Sequence, residues 1–107
     1  MALVTLEEAK EYLRVSTSDE DALISSLISA AAITVRDVAR ISDDDWDRVI
    51  TEPTEDDDNE LVAVRAVCKV ATLYAMAYLF EHREEADHHD LTITLRNLLF
   101  AIREGVV

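Results

Sequence analysis

One uninterrupted stretch, residues 61–80, most constrains how this chain can fold. It contains two charged side chains, Arg65 and Lys69, and no glycine or proline. At about 100° per residue these charges share a narrow stripe with Thr72 and Arg83, and the rest of the helix surface is apolar. A helix that is apolar nearly all round must be covered on several sides. The stretch therefore predicts a long central helix.

The surface opposite that stripe is expected to lie in the core, with Val67 and Tyr74 at its centre. A membrane span is the alternative, because the stretch has about the required length of 20 residues. Two charges inside it would each cost about 2.5–3.5 kcal/mol near a bilayer centre. Its frequent alanines suit close helix contact rather than a lipid-facing surface. The sequence favours a helix buried in protein and no membrane partner.

Length and composition predict a single all-α domain over residues 1–107, a small bundle of about four helices around the central one. Half of the 107 residues are hydrophobic, and one glycine and one proline are too few for a β-sandwich or barrel. The single cysteine, Cys68, is expected to be a buried hydrophobe, and no disulfide framework is possible. No basic, apolar leader opens the chain, so synthesis in a reducing intracellular compartment is expected.

Two helices are predicted before the central one. Thr5 and Glu8 form a capping box that starts a short helix ending near Arg14. A second helix is expected to start at Ser18, with acids in its first turn, and to run to about Arg40, with an apolar stripe for the core. Ile33 lies on the opposite side of this helix, beside Ala30 and two serines, where small residues permit a second helix to approach. This back face is a candidate contact between subunits.

Residues 41–59 form a long acidic connection, with a short amphipathic turn expected around Trp46. It holds two runs of aspartates, Asp43, Asp44, Asp45, Asp56, Asp57 and Asp58. The spacing and the glycine of an EF-hand calcium loop are absent, so a solvated loop without metal is predicted. The formal net charge of −13 argues against ordinary nucleic-acid binding. Acids could still line a passage through which DNA slides, or simply keep the chain soluble.

No constellation of side chains predicts an enzyme, a metal site or a cofactor. The sequence has no glycine-rich phosphate loop and no nucleophile–base pair. His82, His88 and His89 match no ligand spacing with a mechanism, and they are expected at the surface. Paired acids such as Glu81 with Glu84 suggest a magnesium-dependent pyrophosphatase. Such a site needs inward-facing carboxylates from several helices, whereas the acids here cluster at helix ends.

The last segment fits two patterns. Residues 91–95 alternate like a strand, whereas the leucines of 91–99 also form one helical face. We expect an extended or loosely wound start and then a helix from about Thr94 to Glu104. If the whole segment is helical, Ile93 and Phe100 lie on its outer face, which would suggest a partner.

Four segments together resemble one protein family: residues 4–15, 21–31, 80–86 and 95–103. In order and spacing they are similar to the small head–tail connector (adaptor) proteins of tailed double-stranded-DNA bacteriophages. Thr92, Thr94 and Ala101 stand where members often have proline or glycine, so the conformation of the last segment can differ here.

This resemblance implies a structural protein of the virion neck, made in the host cytoplasm. It would form a ring, commonly of twelve subunits, under the portal protein, extend the DNA channel and dock the next head-completion or tail protein. DNA would pass without specific binding. The candidate channel-facing acids are the six aspartates above, and the candidate interface residues are Ile33, Ala30, Ile93 and Phe100. The alternative is an acidic DNA mimic that occupies the basic groove of a host DNA-binding protein.

Overall fold

A computed structural model describes residues 3–51, 53–82 and 89–100 of the chain. In these residues the chain forms five α-helices and no strand. They are α1 (Leu6–Leu13), α2 (Asp21–Ala39), α3 (Asp43–Ile50), α4 (Asn59–Glu81) and α5 (His89–Leu99). The predicted all-α class, with a long central helix, is confirmed.

Local side-chain caps set where the helices begin. The predicted capping box is present: Thr5 Oγ1 accepts from the Glu8 amide and Glu8 Oε1 accepts from the Thr5 amide, each at 3.1 Å. Ser42 caps α3, and Asp58 Oδ1 accepts from the Leu61 amide at 2.7 Å to cap α4. Short-range sequence signals therefore encode the starts of α1, α3 and α4, whereas α2 begins without a side-chain cap.

The two long helices, α2 and α4, form the main contact of the fold. Helices α1 and α5 each pack against both of them, and α3 packs against α4. The buried side of α2 consists of Ile24, Ile28, Ala31, Val35 and Ala39. The Cα atoms extend over 39 × 32 × 19 Å. The shortest dimension is about the width of two helices lying side by side.

Helix α4 buries a different side from the one that the sequence predicted. Its buried residues are Cys68, Ala71, Thr72, Ala75 and Met76. Tyr74, predicted to be core, is 38% exposed, and Val70 is 57% exposed. Val67 is half-buried and packs against the core. The buried side combines the small Ala71 and Ala75 with Cys68 and Met76.

The charged stripe of α4 borders the buried side and does not point away from it. Lys69 forms an ion pair with Glu8 of α1. Arg65 reaches the end of α3, where its Nε donates to the Val49 carbonyl oxygen at 3.0 Å. Long cationic side chains can pack their stems on apolar surface while their heads bind neighbouring helices. The sequence prediction placed the core on the side of the helix opposite these charges, and that prediction was wrong.

The amphipathic turn expected around Trp46 within the acidic connection 41–59 is present as the helix α3, which buries Val49. Two helix starts need correction. Helix α2 begins at Asp21 and not at Ser18, and α5 begins at His89, so the extended start expected before Thr94 is wrong. The predicted end of the last helix, at residue 104, lies outside the described residues.

Helices α2 and α4 are both long and apolar enough to cross a membrane, with a mean hydropathy of 1.5 for each. Core helices of soluble proteins satisfy the same criterion. Only 22% of the apolar window of α2 and 39% of that of α4 are buried inside the subunit. Much apolar helix surface is thus left uncovered by the chain's own fold.

Candidate interaction surfaces

An uncovered apolar surface runs along α4, and we call it the outer face of α4. It consists of the exposed residues Val62, Ala63, Ala66, Val70 and Tyr74. These residues lie on the side of the helix opposite Cys68. The face carries no charged side chain. The sequence prediction missed this surface because it places the side of the helix around Tyr74 in the core. An apolar pattern all round a helix does not show which side its own domain covers.

The outer face of α2 consists of Ser26, Ser29, Ala30 and Ile33, all exposed. Ile33 is 62% exposed, in agreement with its predicted position away from the core. Ser29 Oγ donates to the Ser25 carbonyl oxygen at 3.4 Å. This side chain has a partner within its own helix, so a second helix could cover it without leaving it unsatisfied.

Helix α5 also turns large apolar side chains outward. Ile93 is exposed, Leu98 is exposed, and Phe100, just beyond the helix end, is 59% exposed. The opposite side of α5 buries Leu91, Leu95 and Leu99. Because the segment is helical from His89, Ile93 and Phe100 occupy the outward positions that the fully helical alternative predicted.

The six candidate channel acids do not form one uniform surface. Asp57 and Arg65 form an ion pair at 2.9 Å, and their side chains are only 13% and 12% exposed. Arg65 also donates to the carbonyl oxygens of Val49 and Arg48, at 3.0 and 3.2 Å. One guanidinium group thereby joins α4, the end of α3 and the connection between them.

Hydrogen bonds to its ionised form hold the pKa of Asp57 below its ordinary value. The first cause is the backbone amide of Thr54, which donates to Asp57 Oδ2 at 3.1 Å, and the second is the Arg65 side chain. Asp57 is therefore a structural residue of the connection, which the sequence run of three aspartates did not reveal.

The remaining five acids differ in their surroundings. Asp58 caps α4, Asp43 pairs with Arg36, and Asp45 lies 3.8 Å from Arg48. Asp44 and Asp56 are exposed and make no hydrogen bond or ion pair within the described part of the chain. Within the described residues, therefore, Asp44 and Asp56 are the members of the two acidic runs whose charge is not shared with a protein partner.

No reactive centre is found among the described residues. Cys68 is fully buried, and burial raises the pKa of its thiol to about 11, so the thiolate nucleophile does not form at neutral pH. Within residues 3–51, 53–82 and 89–100, no three His, Cys, Asp or Glu side chains lie together as metal ligands would.

Uncharged apolar faces on a thin, acidic helical subunit are typical of a protein that assembles with others. Comparison with protein families agrees with this class, since the model of the phage gp6-like head-tail connector protein family matches residues 3–105. The chain belongs to this family. No match was found to a curated protein or to a solved structure. The family is a structural component of the phage virion that connects head and tail.

Proposed function

We propose that this chain forms an oligomeric ring under the portal protein in the virion neck. There it extends the DNA channel and docks the next head-completion or tail protein. The observation that carries the proposal is the pair of uncharged, exposed faces on α2 and α4 in a chain of net charge −13. Exposed apolar surface of this extent is costly for a monomer and is covered on assembly.

Ring formation requires contacts that repeat around an axis. Each subunit of a cyclic ring uses two surfaces, one for each neighbour. The outer faces of α2 and α4 and the outward residues of α5 offer three candidate surfaces, one more than a ring needs. The remaining surface is available for the portal or the tail protein. The resemblance that identified the family suggests twelve subunits, and the chain is synthesised in the host cytoplasm before it joins the particle.

The acidic surface serves the passage of DNA without specific binding. Exposed carboxylates repel phosphate groups, so a channel bordered by them does not retain the duplex. Three of the six candidate acids are exposed and are neither the cap of α4 nor the ion-pair partner of Arg65. They are Asp43, Asp44 and Asp56. They are the residues we assign to the channel or its rim.

The test is assembly with the portal protein of the same phage. The purified chain is mixed with portal complexes, and particles are examined by negative-stain electron microscopy and light scattering. We expect a ring of added density at one end of each portal. A chain that stays monomeric beside intact portals, and that instead co-purifies with a basic host DNA-binding protein, would contradict the ring and favour the DNA-mimic function.

A further inference from the structure

The outer faces of α2 and α4 point in opposite directions. The two helices pack their buried sides against each other, so their exposed sides turn away from a shared centre. The two faces therefore lie on opposite sides of the α2–α4 pair.

Charge decides which surfaces two copies can bring together. At a net charge of −13, two subunits repel each other when their acidic regions meet. The outer face of α4 has no charged residue, whereas on α2 the exposed Asp37 lies one helical turn after Ile33, at the edge of the outer face. A second copy can approach along these faces without placing carboxylates against carboxylates.

The two faces also have complementary relief. On α2, Ile33 projects from a surface of small side chains, Ser29 and Ala30 among them. On α4, Ala63 and Ala66 form a shallow region beside the larger Val70. Small side chains let helix axes approach to about 8 Å, and a large side chain on one helix fits over small ones on the other.

We infer that the outer face of α4 in one copy packs against the outer face of α2 in the next copy. This contact joins two different surfaces, so it is heterologous and can close into a ring. The inference rests on the proposed ring and specifies the contact between its neighbours. It leaves Ile93 and Phe100 of α5 for another partner.

The size of the contact explains why closure matters. From Val62 to Tyr74 the face is about 20 Å long and one helix wide, so it covers on the order of 200–400 Å² per copy. A stable interface between two proteins usually buries roughly 800 Å² per partner. One such contact is weak, whereas a closed ring gives every subunit two of them and loses a subunit only when both break.

Disulfide trapping tests the pairing directly. The double variant Ile33→Cys/Ala66→Cys places one thiol on each face, and the native Cys68 is buried and does not compete. Rings of this variant, formed alone or on portals, are oxidised mildly and separated without reductant. We expect a ladder of covalent multimers, because a disulfide forms only where two Cβ atoms come within about 4 Å.

Two controls define the direction of the contact. An equal mixture of the two single variants should give dimers and no longer products, and each single variant alone should stay monomeric. In the second control, Glu11→Cys on exposed α1 replaces the α4 thiol, and no ladder should form.

Three results would overturn the inference. Dimers of a single variant with itself would show an isologous contact. A cross-link to portal or tail protein in place of the ladder would assign the face to that partner. Rings that assemble normally without any ladder would place the subunit contact elsewhere and leave the proposed function intact. Absence of rings from the unmodified chain, by contrast, would reject the proposed function itself.

Discussion

Thr72 is the polar residue whose side chain sits in the buried side of α4. It is fully buried, and its Oγ1 has no hydrogen-bond partner among the described residues. A buried hydroxyl without a partner costs roughly 1–3 kcal/mol. The sequence places Thr72 on the polar stripe with Arg65 and Lys69, and a polar stripe suggests a solvent-exposed side chain.

Replacing this hydroxyl with a methyl group should stabilise the subunit. We expect Thr72→Val to raise the free energy of unfolding by about 1 kcal/mol, which raises Tm by roughly 4 °C in a domain of this size. Thermal unfolding followed by circular dichroism measures the effect. Thr72→Ser is the control, since it keeps the hydroxyl and removes the packed methyl group, and it should lower Tm. An unchanged Tm for the valine variant would show that the hydroxyl is satisfied in solution.

The pairing of Asp57 makes stability depend on pH in a definite direction. Its pKa is lowered in the folded chain, so its contribution is present above the ordinary aspartate value near 3.9 and is lost as pH falls through the lowered one. The pKa of Glu8 is also lowered, first by its hydrogen bond from Lys69 and then by the Thr5 amide. Both carboxylates therefore favour the folded state at neutral pH.

We expect Asp57→Asn to lower Tm at pH 7 and to have little effect at pH 2, so that the two curves of Tm against pH converge in acid. The neighbouring Asp56→Asn is a matched control, because Asp56 is exposed and makes no hydrogen bond or ion pair within the described residues. It should follow the unmodified chain throughout. If the Asp57 and Asp56 variants behave alike, the ion pair with Arg65 contributes nothing to folding.

At the scale of the helices, α4 presents two sides that look alike in sequence. Val70 and Ala71 are adjacent, yet Val70 is largely exposed and Ala71 is fully buried. The periodicity of a helix with apolar residues all round does not rank its sides, so the sequence predicted the existence of α4 but chose the wrong side as core. The buried side of α2 was predicted correctly, because a helix with a single apolar stripe has only one side suited to the core.

The same adjacency provides a matched pair of variants. Val70→Asp should leave the helical circular dichroism spectrum unchanged and abolish assembly with portals, because it puts a charge into the proposed contact. Ala71→Asp should unfold the chain, since it buries an unpaired charge in the core. Ile33→Asp is expected to act like Val70→Asp. A Val70→Asp chain that is folded and still forms rings would remove α4 from the contact.

Short-range signals made the other helices predictable in part. The capping box at Thr5 and the apolar stripe of α2 depend on residues within a few turns of each other, and both predictions were confirmed. The role of Asp57 depends on Arg65, eight residues away and across a connection, and no local pattern encodes that pairing. The start of α5 was missed because residues 91–95 contain β-branched residues, which are common in strands. This preference depends on tertiary context, and here the leucines of the segment are buried on one side of a helix.

At the scale of the whole molecule, the acidic charge can be reduced without disturbing the fold only at selected positions. Replacing all six candidate aspartates with asparagine would remove the Asp57 ion pair together with the exposed charges, although an asparagine at position 58 could still cap α4. Asp44→Asn/Asp56→Asn removes two charges that have no partner in the described residues. Adding Asp43→Asn also breaks an ion pair with Arg36 at the surface, which is worth little.

We expect this triple variant to fold and to form rings but to slow DNA passage, because phosphate groups then meet a less repulsive surface. The measurement is the rate of DNA ejection from particles that contain the variant, compared with particles that carry a triple change of equal charge on α1 and the connection after it, Glu7→Gln/Glu11→Gln/Asp19→Asn. Equal ejection rates for the two sets would mean that the acids of the connection do not border the channel.

If the proposed ring forms, the thickness of one subunit sets its size. If neighbours stack along the 19 Å dimension, each subunit supplies about that length of the circumference, and twelve of them make a ring with a mean diameter of roughly 70 Å. The 32 or 39 Å dimension then lies along the radius, leaving an opening on the order of 35 Å. That opening admits one DNA duplex with room for water on every side. A thicker subunit would need fewer copies to enclose an opening of the same diameter. The thickness of one folded chain would therefore determine how many subunits the ring contains.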